Sequence, residues 1–307
     1  MTSTTGRGNV AALSTSPTSG ATEPTQVVPA PSALRVTLRR SVEAVGKPAI
    51  QFVDEIGQLG LFCLDVLFWL PRRPFRWGQL ARHMRDIGFG SLFIVALTGV
   101  FTGLAFGFQS LQGFRRFGAE ALVGPTTMLG LVRELGPVLT GLMVAGRSGS
   151  GMSTELGTMR VTEQIDALST MAVEPVQYLV VPRAIAATLM MPFLTAVFCA
   201  AGYGGCYLMA VLREGVDPGV FLYETWQALD PDDFYEGWIK GAVFGLQIAL
   251  IASWQGFRAS GGARGVGEAA TRTVVIANVC ILVSTYLLAE ILDPLIHSWI
   301  RFDAMGQ

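Results

Sequence analysis

The chain contains 307 residues, of which 51% are hydrophobic and only 15% are charged. Soluble domains average about 25% charged residues, so this composition indicates a membrane protein. The 22 Lys and Arg residues balance 23 Asp and Glu residues. Because binding to DNA or RNA needs an excess of basic residues gathered on one surface, we expect no nucleic-acid partner.

The sequence offers little material for catalysis or metal binding. Its four cysteines lie in apolar segments without CxxC spacing, and the chain has only two histidines. Such cysteines are typical of buried hydrophobic side chains rather than of a metal site or a disulfide framework. No Walker-type Gly-x-x-x-x-Gly-Lys-Ser/Thr sequence occurs. We therefore expect no catalytic residue, metal or cofactor in this chain, and any ATP hydrolysis would belong to a separate ATPase chain.

The N-terminal part of the chain differs in composition from the rest. Residues 1–33 are rich in Thr, Ser, Pro and Gly, so a disordered tail is predicted, with a transit peptide as the alternative. Residues 34–86 are basic and amphipathic. Their most apolar stretch, 56–70, is too short to span a bilayer and is followed by two arginines between prolines. This pattern predicts an interfacial elbow helix.

Five longer apolar segments follow within residues 87–299. Each is long enough to cross a bilayer as a helix. They are the segments 87–111, 121–146, 184–212, 237–256 and 273–291.

The distribution of basic residues predicts the orientation of these spans. With the N-terminus inside, sixteen Lys and Arg residues lie on the cytoplasmic side and only four outside. The outer loop 214–236 instead holds seven acidic residues. We therefore expect a cytoplasmic N-terminus and a C-terminus outside.

The segment 147–175 is too polar to cross the membrane. Apolar residues at helical spacing predict a one-sided helix at about 153–173. Its other face carries Glu155, Glu163 and Asp166. A helix lying on negatively charged lipid would be expected to carry basic residues there, so a cytoplasmic protein partner fits better than lipid.

Four charged residues lie inside predicted spans, of which Glu290 is at the very end of the fifth and the other three are Arg133, Glu134 and Lys240. Each of these three costs about 2.5–3.5 kcal/mol at mid-membrane, which marks them as functional candidates. Arg133 and Glu134, near the centre of the second span, are adjacent and so point about 100° apart on a helix. At least one of them needs a partner on another helix or a wet cavity. Lys240 lies near the outer end of the fourth span, where snorkelling is an alternative to a binding role. A buried network without substrate is the alternative for Arg133 and Glu134.

Several motifs, in their order along the chain, resemble those of one transporter family. They are 133–138 (RELGPV), 141–147 (GLMVAGR), 155–159 (ELGTM), 163–168 (EQIDAL), 173–176 (VEPV), 181–183 (VPR), 261–267 (GGARGVG) and 271–275 (TRTVV). With these motifs the chain resembles the permeases of the MlaE and YrbE type. These are membrane subunits of ABC transporters that move lipids together with MCE-domain proteins.

The resemblance implies an all-α integral membrane protein with an elbow helix, five transmembrane helices and a cytoplasmic coupling helix docked on an ABC ATPase through Glu155, Glu163 and Asp166. It also implies a bacterial inner-membrane homodimer with a lipid cavity at its two-fold axis. The cavity would hold lipid tails or headgroups. From where relatives line their cavity, the candidate side chains are Phe106, Phe114 and Phe117. Arg115 and Arg116 stand where relatives often have polar, uncharged residues. They are candidates, with Lys240, Glu134 and Arg133, because they follow the first span directly and could meet the phosphate of an entering lipid.

Two other functions compete with a lipid permease. A proton- or ion-coupled secondary transporter would use Glu134 and Lys240 as relay groups. Against it, the sequence shows no inverted repeat, and five spans do not divide into two equal halves. A membrane scaffold would not explain charges in the middle of spans.

Overall fold

The computed structural model describes residues 50, 53–55, 57–70 and 77–305, with side chains up to 292 and at 294. The predicted tail 1–33 lies outside this part of the chain. The chain divides into two units, Met1–Asp54 and Glu55–Gln307. In the first unit, only Ile50, Val53 and Asp54 are described; they are helical and exposed. The other described residues, 55, 57–70 and 77–305, belong to the second unit.

The described residues form helices and connecting turns, without strands. The helices are α1 (57–69), α2 (Trp77–Arg115), α3 (Glu120–Val161), α4 (Gln164–Thr170), α5 (Val176–Arg213), α6 (Pro218–Ala228), α7 (Pro231–Phe257) and α8 (Gly262–Met305). Helices α2, α3, α5, α7 and α8 are long and apolar enough to cross a membrane. The predicted all-α membrane fold with five spanning helices is therefore confirmed.

Helix α1 has the two faces that the elbow prediction requires. Val66 is buried against Val180 and Val181 at the start of α5. On the other face, Leu64 and Phe68 are exposed. At 1.5 Å per residue α1 is about 20 Å long, short of the roughly 30 Å hydrocarbon core. An exposed apolar face on a helix too short to span suits a position in the membrane interface.

Glycines allow α2 and α5 to pack backbone against backbone. A Cβ atom added at Gly103 would overlap the carbonyl oxygen of Gly202, and one at Gly205 would overlap that of Val100. Gly99 faces the carbonyl of Phe198 one turn earlier in α2. Since lipid provides no hydrophobic drive between helices, close contact of this kind stabilises the pair through dispersion.

Helix α3 continues beyond the predicted second span. The sequence predicts an end near Gly146, but the helix runs to Val161. The hydroxyls of Thr154, Thr158 and Thr162 each donate to the carbonyl four residues earlier, at 2.8 Å. These bonds satisfy polar side chains along the helix itself, so a polar sequence can remain helical outside lipid.

The predicted coupling helix at 153–173 is therefore divided. Its first part is the end of α3, and its second part is the short helix α4. The break falls at Glu163, whose φ of 60° is left-handed and uncommon for a residue with a Cβ atom. Ile165 of α4 is buried against Leu156 and Leu179, which fixes α4 to α3 and to the start of α5.

Helix α7 begins at Pro231, earlier than the predicted fourth span at Gly237. Asp230 is its N-cap and forms a capping box with Asp233, whose Oδ2 accepts the Asp230 N–H at 3.0 Å. Pro231 suits the first turn because its missing N–H would have no helical acceptor there. As a result, three acids that the prediction assigned to the outer loop, Asp232, Asp233 and Glu236, lie on the helix.

Candidate functional site

The candidate site is built around a widened turn in the middle of α3. Residues Leu131–Leu135 form a π-helical turn, followed by Gly136 and Pro137. Pro137 has no N–H, so it cannot donate to the carbonyl of Arg133 four residues earlier. That carbonyl instead accepts a hydrogen bond from the Lys240 ammonium at 3.0 Å. Pro137 thus leaves the carbonyl of Arg133, within a spanning helix, as an acceptor for Lys240.

Lys240 of α7 is completely buried and uses three oxygen acceptors. Its Nζ donates to the carbonyl of Arg133 and lies 2.6 Å from Glu134 Oε1 and 2.7 Å from Glu236 Oε1. An ammonium group has three donors, so all three are satisfied. The alternative interpretation proposed that Lys240 snorkels to the membrane surface. Its complete burial among these acceptors rules that out.

Arg133 forms the second half of the network. Its Nε and Nη2 both lie 2.5 Å from Asp233 Oδ1, and Glu236 Oε2 lies 3.9 Å from its Nε. Asp233 is almost fully buried, whereas the Arg133 side chain is 39% exposed. Arg133 therefore pairs with α7 on one side and remains accessible on the other.

Close approach of α7 to α3 makes these contacts possible. Gly237 lies between Asp233 and Lys240, and a Cβ atom there would overlap the carbonyl oxygen of Val132. Asp233, Glu236 and Lys240 recur at i, i+3 and i+7, which places them on one face of α7. That face meets the π-helical turn, so Arg133 and Glu134 both find their partners on α7.

The network borders an open cleft of about 530 Å³ between α3, α7 and α8. Its lining residues are Arg133, Glu134, Glu236, Tyr286, Ala289, Glu290 and Pro294. Three carboxylates thus line the cleft, together with the guanidinium of Arg133. Lys240 lies behind it and reaches the cleft only through its two carboxylate partners.

The balance of charges determines what this site can bind. The network holds two cations, Arg133 and Lys240, and three carboxylates, Glu134, Asp233 and Glu236. Glu290 adds a further carboxylate across the cleft. Charges in a weakly solvated site interact more strongly than in water, so the cleft favours a ligand that brings positive charge beside its negative charge. A simple anion would have only one cation to pair with among the residues that line the cleft, Arg133.

The predicted phenylalanines lie elsewhere. Phe106 lies beside Gly130 on α3, the residue directly before the π-helical turn. Phe114 belongs to an apolar cluster around Leu111 and Phe221, and Phe117 is 84% exposed. None of the three lines the cleft beside Arg133.

The predicted outer cations differ in their surroundings. Arg115 is bound by two carboxylates, Glu120 at 3.0 Å and Glu214 at 2.9 Å. Arg116 is exposed and makes no ion pair with the described residues. Arg115 therefore holds the turns after α2 and α5 together, and neither arginine lines the cleft.

The three acids predicted to contact an ATPase also differ. Glu155 pairs with the buried guanidinium of Arg183 at 2.8 Å, which links α3 to α5. Asp166 lies 2.5 Å from Arg160 across the break between α3 and α4. Glu163 is exposed and has no ion pair among the described residues, so it alone of the three presents an uncompensated charge.

Sequence reasoning missed three acids of the site: Asp233, Glu236 and Glu290. The signal for the first two was present, because Asp-Pro at 230–231 is a helix start and Glu236 lies four residues before Lys240. Glu290 carried no such signal. Its place opposite Arg133 depends on how α8 packs.

Comparisons with known proteins agree with this architecture. Residues 80–291 match the family model described as Permease MlaE. A probable ABC transporter permease protein of Rickettsia conorii is 42% identical over 81% of this chain and 96% of its own length. The intermembrane phospholipid transport system permease protein MlaE of Haemophilus influenzae is 34% identical over 82% of this chain and 97% of its own. The chloroplastic protein TRIGALACTOSYLDIACYLGLYCEROL 1 of Arabidopsis thaliana is 37% identical over 74% of this chain and 65% of its own length. The chain therefore belongs to the MlaE family of ABC transporter permeases, which are transport subunits rather than enzymes.

Proposed function

We propose that this chain is the membrane subunit of an ATP-driven phospholipid transporter, with the cleft beside Arg133 as its headgroup site. The observation that carries the proposal is the satisfied charge network of Lys240, which opens to a cleft between spanning helices. Charges at this depth are costly unless they serve a path or a ligand. The name of the Haemophilus influenzae relative, a phospholipid transport permease, supports a lipid as that ligand.

The transporter works as a homodimer in a bacterial inner membrane, with its N-terminus in the cytoplasm. The charge bias of the connecting segments supports this orientation. The cleft is open on the side of α8, whose exposed apolar side chains are suited to contact with a second copy or with lipid. They include Val275, Val279, Leu282, Val283 and Leu287. A two-fold related copy would turn two open clefts into one shared lipid cavity.

The charges of the cleft favour a zwitterionic headgroup. Arg133 is the accessible cation and takes the phosphate, because Lys240 is enclosed by carboxylates and Arg115 is bound elsewhere. Glu134 and Glu290 are placed to take an amine. A headgroup with both groups matches the site better than a purely anionic one.

Replacing Glu290 with glutamine tests this preference. We expect transport of a phosphoethanolamine lipid to slow by about two- to fivefold, since a partly exposed charge pair contributes up to about 1 kcal/mol. Transport of a phosphoglycerol lipid should be unchanged or faster. The measurement is transfer of the two labelled lipids, in parallel, by the reconstituted transporter.

Glu224→Gln is the matched control, because Glu224 is an acid of α6 that does not line the cleft. It should leave both rates unchanged. Equal slowing of both lipids by Glu290→Gln would argue against headgroup selection at this cleft.

The ATPase subunit docks on α4 and the end of α3. Glu163 supports this position because its carboxylate is exposed and uncompensated, whereas Glu155 and Asp166 are already paired within the chain. ATP is bound by that partner, and this chain carries no cofactor. An MCE-domain protein receives or delivers the lipid on the outer side, where α6 and the start of α7 lie.

Charge reversal at Glu163 is expected to weaken the ATPase complex. The exposed carboxylate of Glu163 suits a basic residue of the ATPase, and Glu163→Lys would place a second cation opposite that residue. Breaking such a desolvated ion pair at an interface costs about 2–5 kcal/mol. Co-purification of the ATPase with the tagged permease measures the effect. Glu174→Lys, also in the segment between α3 and α5, is the control for a general change of charge. Equal yields with Glu163→Lys and the unmodified chain would remove Glu163 from the interface.

The secondary-transporter alternative is weaker now that the chain belongs to an ABC permease family. It would still use Glu134 and Lys240, which the structure places 2.6 Å apart. The two mechanisms differ in their energy source. A proton gradient without an ATPase would drive the alternative, whereas ATP hydrolysis drives the proposed transporter.

A further inference from the structure

A second polar cleft lies at the far end of α7 from Lys240. It has a volume of about 500 Å³ and is formed where α7 ends and α8 begins, beside Glu55 at the start of the unit. Its polar and charged lining residues are Glu55, Gln255, Arg258, Ser260, Glu268 and Arg272. None of these residues belongs to the network around Arg133.

Gln255 is the first indication that the cleft holds a ligand. Gln255 is only 8% exposed and lines the cleft, and its side-chain amide makes no hydrogen bond with the described residues. The amide is not among the fully buried polar groups that lack a partner, so it keeps contact with the cleft. Its N–H groups are therefore available to a ligand with acceptor oxygens.

Two arginines supply positive charge at the same place. Arg258 is held in position by Trp254, whose ring centre lies 4.9 Å from its guanidinium, and by a hydrogen bond to Gln58 Oε1. A guanidinium has five N–H donors, so Arg258 keeps donors for a ligand. Arg272 is exposed and makes no ion pair within the described part of the chain.

The start of α8 adds backbone donors to this charge. Gly261 and Gly262 have φ values of 84° and 72°, a left-handed turn that glycine adopts without strain and that begins the helix sharply. Ser260 and Gly265, on either side of this start, both line the cleft. The first N–H groups of a helix lack internal acceptors and favour an anion.

The carboxylates of the cleft leave this positive charge only partly balanced. Glu268 lies 3.2 Å from Arg264, an exposed residue that does not line the cleft. Among the described residues that line the cleft, Glu55 is then the one carboxylate without an ion-pair partner. Its single negative charge faces the two positive charges of Arg258 and Arg272. The cleft therefore suits a group with one or two negative charges and several acceptor oxygens.

We propose that this cleft binds a phosphate group, held by Arg258, Arg272, Gln255 and the N–H groups at the start of α8. Phosphate provides oxygens for bidentate arginine and for an amide donor at once. The cleft adjoins α1, whose exposed apolar face suits the headgroup layer, so the phosphate of a membrane lipid is one source and free phosphate is the other. This site is separate from the transport cleft and does not depend on the proposed route.

Phosphate binding can be measured on the purified full-length chain in detergent by native mass spectrometry. The probes are dioctanoyl phosphatidic acid, dioctanoylglycerol and inorganic phosphate. The variants are Arg272→Gln and Gln255→Leu, which remove hydrogen-bond donors from the cleft. Arg85→Gln is the matched control, because it removes one positive charge from an exposed arginine of α2 that does not line the cleft and has no ion pair among the described residues.

We expect the phosphatidic acid to bind at least tenfold more weakly to Arg272→Gln and several-fold more weakly to Gln255→Leu. Arg85→Gln should bind within twofold of the unmodified chain, and dioctanoylglycerol should bind none of them. Inorganic phosphate that binds alone, with the same dependence on the variants, would identify free phosphate as the source.

Three results would overturn the proposal. Equal weakening by Arg85→Gln and Arg272→Gln would mean diffuse charge rather than a site. Equal binding of the lipid with and without phosphate would mean that only its tails are held. Unchanged phosphate binding, with loss of the ATPase from the Arg272→Gln complex, would assign the cleft to the protein partner.

Discussion

Replacing Lys240 with alanine is expected to abolish lipid transport and to destabilise the chain by about 3–5 kcal/mol. The ammonium is fully buried between Glu134 and Glu236 and also satisfies the carbonyl of Arg133. Without it, two carboxylates face each other in a weakly solvated site. Lys240→Arg should also be harmful, because a planar guanidinium cannot reproduce three convergent bonds in a space filled by an ammonium group.

The measurement combines transport rate with thermal stability of the detergent-solubilised chain. Arg116→Ala is the matched control, since it removes an exposed cation that has no ion pair among the described residues. Lys240→Met combined with Glu236→Gln should regain part of the lost stability, because the second change removes an uncompensated charge. Normal stability and transport in Lys240→Ala would mean that the network has neither role.

Replacing Gly103 with alanine is expected to be one of the most damaging single methyl additions among the spanning helices. The new Cβ atom would overlap the carbonyl group of Gly202, which belongs to the backbone of α5 and cannot rotate away. The two helices would have to separate, at a cost of about 3 kcal/mol or more, since overpacking usually costs 1–3 kcal/mol even where side chains can yield.

Gly113→Ala on the same helix provides the comparison. A Cβ atom there has nothing within 4 Å, so the substitution should be neutral or slightly stabilising, as expected when alanine replaces a helical glycine. Thermal unfolding of both variants, followed by size-exclusion chromatography, measures the difference. Equal stability of the two variants would contradict the close packing of α2 on α5.

The spanning helices could be predicted from sequence because lipid imposes a simple rule. A helix must be about 20 apolar residues long to cross, and five segments meet that length. The helix ends could not be predicted in this way. Hydropathy reports only the part of a helix that lies in lipid, so it missed the continuation of α3 to Val161 and the start of α7 at Pro231.

The site could be predicted only in part. Charge within an apolar span identified Arg133, Glu134 and Lys240, and the structure brings these three together. The π-helical turn at Leu131–Leu135 changes which way Arg133 and Glu134 point, and a local widening of this kind has no reliable signal in one sequence. In a regular helix Arg133 and Glu134 would point about 100° apart, so the sequence did not predict that both would pair with α7.

The roles of the predicted phenylalanines and of Arg115 and Arg116 in lipid binding stay predictions. Phe114 packs in an apolar cluster that includes Phe221, and Arg115 is bound by Glu120 and Glu214. Phe221 and Glu214 are distant in sequence, so the pattern at 106–117 alone could not reveal these partners. Of the two cations in the network, Arg133 is 39% exposed and Lys240 is fully buried, so Arg133 is the accessible one.

ATP-dependent lipid transfer is the most direct test of the central claim. The permease is reconstituted with its ATPase in vesicles that carry a labelled phosphoethanolamine lipid, and transfer to an acceptor is followed with ATP and with a non-hydrolysable analogue. We predict transfer only during ATP hydrolysis, and none when Lys240→Ala replaces the unmodified permease. Transfer driven by a proton gradient without ATP, or an ATP-driven rate unaffected by Lys240→Ala, would contradict the account.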